Sequence, residues 1–363
     1  MMIALSPFLI LGISVATFVR FKKFGRLPSG ERLDRIKKSP NYKDGKFQNL
    51  SKTSVMTEGV NQLAVFKELI FTKNKKPLDS IPTVKTDLKK LDKDQNVLVW
   101  FGHSSCFIQI DGKKILVDPV FSGNASPVFF TTRAFKGSDL YKADDMPEID
   151  YLFITHDHWD HLDYETVIKL KPKIKNIICA LGVGEYFEYW GFEKERILEK
   201  DWNEEIKLGD GFFAYPVPAR HFSGRAFTRN KTLWSAFVFI TPTFKIFISG
   251  DGGYDSHFEK IGHIFEGFDL AILENGQYDK SWKYIHMNPE EVIQAAKDLQ
   301  AKRIFPFHSS KFTISNHAWS EPLTRITELN KKAKLNLITP KIGEVVDLKN
   351  EKQTFEKWWE GVK

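Results

Sequence analysis

Short apolar runs alternate with polar segments from residue 96 to about residue 310. The runs are four to eight residues long, which suits strands better than helices. They occupy residues 97–101, 106–110, 114–117, 149–154, 174–180, 212–219, 234–240, 244–249 and 303–307. Segments of helical pattern lie between some of them, at residues 164–170, 183–190 and 292–297. The pattern therefore predicts a series of short strands with helices between some of them.

The first residues follow a different pattern. Residues 1–19 contain no charged side chain and are followed by a basic flank, Arg20, Lys22, Lys23 and Arg26. About eighteen apolar residues can just cross the hydrocarbon core of a bilayer. A cleaved secretory peptide would have positive charge before the apolar run and a small-residue cleavage site after it, and neither is present. We therefore predict an uncleaved membrane anchor at residues 1–26; a plain hydrophobic N-terminal helix is the alternative.

The anchor has a consequence for location. The positive-inside rule places the basic flank, and the rest of the protein with it, on the cytoplasmic side. Residues 27–95 are rich in lysine, and Pro28, Pro40, Pro77 and Pro82 interrupt any long helix. This pattern predicts a solvent-exposed lead-in segment that wraps around the domain. Contact between its lysines and anionic lipid is the alternative. Residues 96–363 are predicted to form the compact domain.

Charge and cysteine content narrow the possible functions. Residues 1–95 hold 19 Lys or Arg against 9 Asp or Glu, an excess of ten, whereas the whole chain carries +7, so residues 96–363 carry −3. A body of that charge argues against nucleic acid as a partner. Cys106 and Cys179 are far apart in apolar runs, which predicts buried free thiols.

The candidate chemistry begins where the strand at residues 149–154 ends. The next residues read Thr-His-Asp-His-Trp-Asp-His and contain His156, His158, Asp160 and His161. Imidazole and carboxylate are the ligands that zinc accepts in the absence of thiolate, and histidines two apart can grip one ion. The sequence therefore predicts a metal site, with Asp160 and His161 turned toward a second ion. This segment resembles the HxHxDH signature of the metallo-β-lactamase fold superfamily.

Other strand ends extend the site. His221 follows the strand at residues 212–219 and repeats the placement of His156, which predicts a third ligand to the first metal. The resemblance implies that Asp251, between glycines, bridges both ions and that His308 completes the second. Asp118 either orients a ligand histidine or belongs to an ordinary Asp-Pro turn. His103 is either part of the site or a satisfied loop histidine.

The resemblance implies a fold: a four-layer αβ/βα sandwich, two sheets face to face with helices outside. It also implies two metal ions, zinc by default with iron or manganese possible on these ligands. A narrower resemblance, to N-acyl-phosphatidylethanolamine-hydrolysing phospholipase D and UlaG-type lactonases, rests on sequence segments outside the ligand set. They are Gly-His-Ser-Ser at 102–105, Leu-Val-Asp-Pro-Val-Phe-Ser at 116–122, Asn-Ala-Ser-Pro at 124–127, His-Phe-Ser-Gly-Arg at 221–225, Gly-Asp-Gly-Gly-Tyr at 250–254 and His-Met-Asn-Pro-Glu-Glu at 286–291. The segment that begins at Glu274 departs from the phospholipase pattern.

The resemblance implies a binuclear metal-dependent hydrolase that cleaves a phosphodiester in N-acyl-phosphatidylethanolamine or a related lipid. Asp160, Asp251 and His286 are the predicted catalytic residues, with His286 stabilising the transition state or protonating the leaving group; a helix-entry role for His286 remains the alternative, and His317 is a weaker candidate. A lactonase or esterase acting on a small soluble molecule, a ribonuclease and a metal-bound scaffold without catalysis are the other functions considered. The apolar N-terminus favours the lipid, because a lipid is met at a bilayer.

Overall fold

The computed structural model describes residues 2–363, with side chains from residue 8 onward except those of residues 62, 64, 66, 69 and 70. Two seven-stranded sheets form its centre, and a two-stranded ribbon lies in the lead-in. The strands are β1 (Tyr42–Lys43), β2 (Lys46–Phe47), β3 (Val97–Trp100), β4 (Cys106–Ile110), β5 (Lys113–Val117), β6 (Ile149–Ile154), β7 (Ile174–Ala180), β8 (Ile197–Lys200), β9 (Ile206–Gly209), β10 (Phe212–Val217), β11 (Ala236–Ile240), β12 (Lys245–Ile248), β13 (Phe268–Glu274), β14 (Ala301–Phe307), β15 (Asn336–Leu337) and β16 (Val345–Asp347).

The α-helices are α1 (Met2–Phe18), α2 (Gly30–Lys38), α3 (Gln62–Phe71), α4 (Tyr164–Leu170), α5 (Gly184–Tyr189), α6 (His257–Ile264), α7 (Pro289–Asp298) and α8 (Glu321–Ala333). Five of them cover the outer faces of the two sheets. The helices α4 and α5 pack on the first sheet, and α6, α7 and α8 pack on the second. The mixed α/β sandwich of four layers predicted above is therefore present.

The two sheets repeat one pattern of strand pairing. The first has the order β16-β3-β4-β5-β6-β7-β8 and the second the order β15-β14-β13-β12-β11-β10-β9. Strands β3 to β5 and β10 to β12 form antiparallel meanders, whereas β5 to β8 and β12 to β15 pair in parallel. Parallel neighbours end at the same edge of a sheet, so the loops after β5, β6, β12, β13 and β14 meet there.

Burial on both faces explains why the strands are almost continuously apolar. In β11, Phe237 and Phe239 point into the layer between the sheets, where they meet Phe153 of β6 with ring centroids 5.3 and 5.4 Å apart. Val238, between them, packs on the outer helices instead. Alternating side chains that are buried on opposite faces leave no polar position in the sequence, as is usual for strands covered on both sides.

The predicted membrane anchor at residues 1–26 is wrong. Within residues 2–363 the structure contains no helix that is both long enough and apolar enough to cross a membrane; Met1, the first residue of the predicted anchor, lies outside the described residues. The helix α1 has 17 residues, or about 26 Å of rise, which is less than the hydrocarbon core of about 30 Å. The cytoplasmic orientation deduced from the anchor loses its basis.

The basic flank after α1 contacts the protein itself. Phe24 is buried, with its ring centroid 5.1 Å from that of Trp159 in the metal-site loop. The backbone oxygens of Lys22 and Lys23 accept hydrogen bonds from Trp190 and Arg225 at 2.7 and 2.9 Å. These contacts draw the chain onto the domain directly after α1, which explains why the apolar helix ends at Phe18.

The lead-in is fixed to the domain through a buried cation. Arg32 of α2, with 9% of its side chain exposed, pairs with Glu185, Glu188 and Glu199 at 2.7, 2.5 and 3.0 Å. A guanidinium surrounded by three carboxylates holds α2 in one orientation against α5 and β8. The two cysteines are free and buried, as the sequence predicted.

Candidate metal centre

Every predicted ligand lies at the edge where the parallel strands end. His156, His158, Asp160 and His161 occupy the loop between β6 and α4. His221 follows β10, Asp251 follows β12 and His308 follows β14. The structure therefore brings together all seven residues that the sequence placed in the site, although they come from four separate segments. Five of the seven are buried; His158 and Asp160 are partly exposed.

Three histidines form the first group. Nδ1 of His158 lies 2.9 Å from Nε2 of His156 and 3.3 Å from Nε2 of His221. Oδ2 of Asp251 is 3.9 and 3.8 Å from those two Nε2 atoms. Nitrogen ligands at tetrahedral zinc stand about 3.4 Å apart, as bonds of about 2.1 Å require. The four atoms have the spacing of a tetrahedral ligand set.

Asp160, His161 and His308 form the second group. Nε2 of His161 lies 3.5 Å from Oδ2 of Asp160 and 3.1 Å from Oδ1 of Asp251. Nδ1 of His308 is 3.2 Å from the same Oδ1. One oxygen of Asp251 thus faces the first group and the other faces the second, which is the arrangement that a carboxylate shared by two ions needs.

Two orphaned atoms test whether the site fits cations. Nε2 of His161 and Oδ1 of Asp251 are fully buried, and within the described residues neither has a hydrogen-bond partner. Buried polar atoms without a partner are rare in native structures, and a bound cation is one accepted explanation. A ring nitrogen and a carboxylate oxygen that converge without bonding to each other fit a shared cation.

The protonation of the histidines agrees with that fit. Burial lowers the pKa of His156, His221 and His308 well below the usual value, and that of His158 to about 4. These imidazoles are neutral at pH 7, which is the form that binds metal.

His161 is the exception. Burial alone lowers its pKa, but Asp251, Asp160 and Asp118 outweigh burial and raise it well above the usual value. Three carboxylates around one buried ring therefore favour a positive charge at this point. A proton on His161 and a metal ion beside it are alternative ways to supply that charge.

Hydrogen bonds hold the ligand rings in position. Oδ2 of Asp118 lies 2.7 Å from Nδ1 of His161, and its Oδ1 accepts the backbone N–H of Thr155. Nδ1 of His221 donates to the backbone oxygen of Ile285 at 2.9 Å. In both histidines Nε2 is therefore left to bind a metal. Metal-binding histidines commonly use the other ring nitrogen for a hydrogen bond of this kind, which fixes the orientation of the ring. Of the two roles considered for Asp118, the geometry supports orientation of a histidine.

Two residues at this edge were not assigned by the sequence reasoning. Glu274, at the end of β13, is fully buried and lies 2.8 Å from Nδ1 of His286 through Oε2. Oγ of Ser104 lies 2.6 Å from Nδ1 of His308. A carboxylate at the end of an apolar run was the available signal for Glu274, and the Gly-His-Ser-Ser segment contains Ser104, but neither identifies its partner.

The structure separates the two further histidine candidates. His286 lies beside the ligands, with its ring centroid 5.1 Å from that of His221 and 5.4 Å from that of His308. In His317, Nε2 accepts the backbone N–H of Gln277 and Nδ1 donates to the backbone oxygen of Ala318. Because both of its ring nitrogens form hydrogen bonds, His317 is neutral and structural. In His286, no hydrogen bond to Nε2 is formed within the described part of the chain.

A cavity of about 240 Å³ opens onto the two groups. His158, Asp160, His221, Asp251, His286 and His308 form its polar wall. The rest of the lining consists of Gln277 and six apolar side chains, those of Val55, Met56, Phe222, Trp282, Ile285 and Ile314. We call this space the metal cavity. It can hold a polar reacting group against the ligands with an apolar group next to it.

Comparisons with known proteins agree with this arrangement. A family model described as a beta-lactamase superfamily domain matches residues 113–309. An uncharacterized protein of Mycobacterium tuberculosis is 34% identical over 88% of this chain and 87% of its own length. An N-acyl-phosphatidylethanolamine-hydrolyzing phospholipase D of Caenorhabditis elegans is 30% identical over 63% of this chain and 68% of its own.

A solved structure shares the fold. It is a metallo hydrolase of the archaeon Ignicoccus hospitalis, with a TM-score of 0.54 and 19% identity, over 70% of this chain and 98% of that one.

Proposed function

This chain belongs to the metallo-β-lactamase fold superfamily as a metal-dependent hydrolase with phospholipase D-like relatives, and we propose that it cleaves a phosphodiester bond in N-acyl-phosphatidylethanolamine or a related lipid. The observation that carries the proposal is the position of Asp251, whose two oxygens face two separate groups of ligands at a cavity that is partly lined by apolar side chains. The position of Asp251 between the two groups supports a binuclear centre. The apolar side chains in the lining support a substrate with an apolar part.

In the proposed centre, one cation would be held by His156, His158 and His221, and the other by Asp160, His161 and His308. The carboxylate of Asp251, which faces both groups, would contribute to each. Zinc fits these nitrogen and oxygen ligands by default, with iron or manganese as alternatives. Two such cations supply a nucleophile at neutral pH by lowering the pKa of water, and they neutralise charge on the attacked group.

Two carboxylates take part beside the cations. Asp160 is fixed by His103 through a contact of 2.9 Å, so its carboxylate keeps one orientation and can accept a proton from the attacking water. Asp251 keeps the two groups of ligands at a constant separation, because each of its oxygens faces one group.

His286 is proposed to act on the leaving group. Glu274 lies 2.8 Å from its Nδ1, which fixes the ring, and within the described residues no hydrogen bond is formed to Nε2. The free edge can stabilise the transition state or carry a proton to the leaving oxygen. Burial lowers the pKa of His286 below its usual value, so the ring is neutral at pH 7 and acts through the hydrogen bonds that it forms.

The support for a lipid no longer includes the N-terminus. It rests on the apolar side chains that line the metal cavity and on the similarity to the phospholipase of Caenorhabditis elegans. A small ester or lactone is the second candidate, since a metal cavity of about 240 Å³ suits a small molecule.

One assay decides between the candidates. The purified full chain, with its metal content measured, is given N-acyl-phosphatidylethanolamine and, separately, a panel of lactones. Release of phosphatidic acid supports the phosphodiesterase, and the Asp251→Asn variant should release none. Turnover of lactones alone would replace the phosphodiesterase with the second candidate, and turnover unaffected by Asp251→Asn would remove the proposed centre.

A further inference from the structure

A small cavity lies next to the segment that leads to His221. It measures about 100 Å³ and is lined by the residues that follow β10, by the start of α6 with the turn before it, and by residues 50 and 51 of the lead-in. No described residue lines both this space and the metal cavity. We call it the α6 cavity. It is a separate space, although Arg220 in its wall directly precedes the candidate ligand His221.

His257 is the informative side chain of the α6 cavity. It lines the space and is 7% exposed, and within the described residues its ring forms no hydrogen bond and no ion pair. Unlike the orphaned atoms of His161 and Asp251, its two nitrogens are not fully enclosed, so the small exposed part of the ring includes both. A polar side chain that is so deeply buried and has no protein partner needs a water molecule or a ligand to satisfy it.

The ring of His257 offers a donor to such a ligand. Burial lowers the pKa of His257 to about 4, so the ring is neutral at pH 7. A neutral imidazole carries hydrogen on one nitrogen and accepts on the other. The ring can therefore donate one hydrogen bond into the α6 cavity.

The N-terminus of α6 adds donors beside this ring. Ser256, which precedes the helix, makes no capping bond with its side chain, and its own N–H donates to Asp255 at 2.7 Å. The backbone N–H groups of His257 and Glu259 form no hydrogen bond in the part of the chain that the structure describes. An uncapped helix N-terminus carries partial positive charge and favours a bound anion.

The charged side chains around the α6 cavity also favour an anion. Arg220 is fixed by three hydrogen bonds, one from each of its nitrogens, at 3.0, 3.0 and 3.2 Å, which leaves two of the five N–H groups of a guanidinium. Lys260 is exposed at the edge and forms no ion pair with any described residue. Asp255 is the acidic member of the lining, and its carboxylate lies 3.9 Å from Nε of Arg220. Two cations against one carboxylate leave a net positive charge.

From these observations we propose that the α6 cavity binds a small oxyanion, a phosphate or sulfate group. Its oxygens accept hydrogen bonds from the ring of His257, from the free N–H groups at the start of α6 and from the ammonium of Lys260. A volume of about 100 Å³ is well below the roughly 300 Å³ at which pockets for drug-sized ligands begin, so the site takes a single such group. The site is additional to the metal centre and does not depend on the proposed hydrolase function.

NMR on the full chain with zinc added tests the proposal. The histidine rings are isotope-labelled, and inorganic phosphate is titrated in place of chloride at constant ionic strength and pH 7. We expect the signal of His257, identified by its loss in His257→Leu, to shift and to reach saturation. The signals of the ligand histidines report phosphate at the metal centre and give a dissociation constant of their own. A His257 signal that stays in place, or that follows the ligand histidines with the same dissociation constant, would overturn the proposal.

Variants of the ring assign the binding to His257, with the backbone amide of Glu259 as the second reporter. His257→Leu removes the donor and should weaken phosphate about tenfold, the effect of one hydrogen bond to a charged group. His257→Gln keeps a donor, should retain part of the affinity, and serves if the leucine variant does not fold. The matched control is His263→Leu, which changes an exposed histidine at the other end of α6 and should bind phosphate as the wild type does. Unchanged affinity in both His257 variants would contradict the assignment.

Variants of the charges test the sign of the ligand. Lys260→Met should weaken phosphate about threefold, as expected for an exposed charge, whereas Lys297→Met, at an exposed position of α7, should have no effect. Asp255→Asn keeps an oxygen for the N–H of Ser256 but removes the negative charge, so it should strengthen binding about threefold. Weaker binding in Asp255→Asn would indicate a cation site and overturn the proposal.

A last titration identifies the source of the oxyanion. Glycerol 3-phosphate carries the same phosphate group on a larger molecule. Tighter binding than that of inorganic phosphate would identify a phosphate monoester as the ligand, and weaker binding would identify the free ion. If neither compound moves the His257 signal, the α6 cavity holds water alone and the proposal fails.

Discussion

Nε2 of His103 lies 2.9 Å from Oδ2 of Asp160. His103 is fully buried in the turn between β3 and β4, at a φ of 53° that few non-glycine residues adopt. Its backbone N–H donates to Ser309, and its backbone oxygen accepts the N–H of His308. The turn therefore positions two candidate ligands of the second group. The side chain of His103 holds Asp160, and its backbone holds His308.

Replacing His103 should lower the affinity of the second group of ligands for its cation. Asn in His103→Asn tolerates the positive φ but is too short to reach Asp160, so Asp160 loses its orientation. Loss of such a partner typically reduces metal affinity or activity by about 10–100-fold. Metal content after dialysis against a chelator series measures the affinity directly.

The control for this prediction is His263→Asn, which changes an exposed histidine of α6. It should retain the metal content of the wild type. If His103→Asn also keeps its full metal content at every chelator concentration, His103 does not position Asp160.

Removing metal should destabilise the protein, and Asp251 should be required for that effect. A ligand that binds only the folded state raises the free energy of unfolding in proportion to the logarithm of its concentration. We therefore expect a chelator to lower the melting temperature of the wild type and added zinc to restore it.

The Asp251→Asn variant should melt at one temperature with or without chelator, because the bridging carboxylate is gone. Asp255→Asn, four residues away and 3.9 Å from Arg220, should still respond to chelator as the wild type does. A chelator-dependent shift of normal size in Asp251→Asn would contradict the bridging role.

Gly276→Ala should disturb the site from behind. A Cβ at Gly276 would lie 2.2 Å from the backbone oxygen of His308 and 3.2 Å from Cβ of Ser309, so one of the two loops must move. Overpacking of this kind costs about 1–3 kcal/mol. Denaturant unfolding should show that loss, together with reduced metal content.

Gly361→Ala provides the comparison, because nothing lies within 4 Å of a Cβ at that position. Its unfolding free energy should stay close to that of the wild type. A Gly276→Ala protein as stable as Gly361→Ala would show that the His308 loop yields without cost.

The sequence predicted nine of the fourteen strands in the two central sheets, because the patterns of those nine are local, and it missed β8, β9, β13, β15 and β16. The runs at residues 149–154 and 174–180 coincide with β6 and β7, and the segment at residues 164–170 coincides with α4. The cluster at residues 156–161 and His221 followed from the same logic, since a polar cluster directly after a buried run marks the end of a strand, whereas Asp251 and His308 were assigned through the resemblance. The resemblance supplied what local patterns do not, namely which strand ends meet.

The contacts that the sequence could not give are those between distant segments. Nothing in the pattern pairs His103 with Asp160, or Glu274 with His286, because each contact joins loops that only the folded sheets bring together. The membrane anchor was predicted wrongly at the N-terminus for the same reason. Its length suggested a membrane, whereas the contacts of Phe24 with Trp159 decide where the chain turns back to the domain.

Lys311 should make stability depend on pH above neutrality. It is 1% exposed, donates to the backbone oxygens of Phe101 and Val120 at 3.2 and 2.9 Å, and lies 3.6 Å from Asp139. Burial lowers its pKa to about 8, whereas an unfolded lysine titrates near about 10.4. Between these values the unfolded chain holds the extra proton, so the free energy of unfolding rises with pH.

We expect the free energy of unfolding to increase by about 2 kcal/mol more in the wild type than in Lys311→Met between pH 8 and 10, measured by urea unfolding. Lys207→Met, which removes an exposed lysine, should follow the wild type. Parallel curves for the wild type and Lys311→Met would mean that Lys311 stays charged in the folded protein throughout this range.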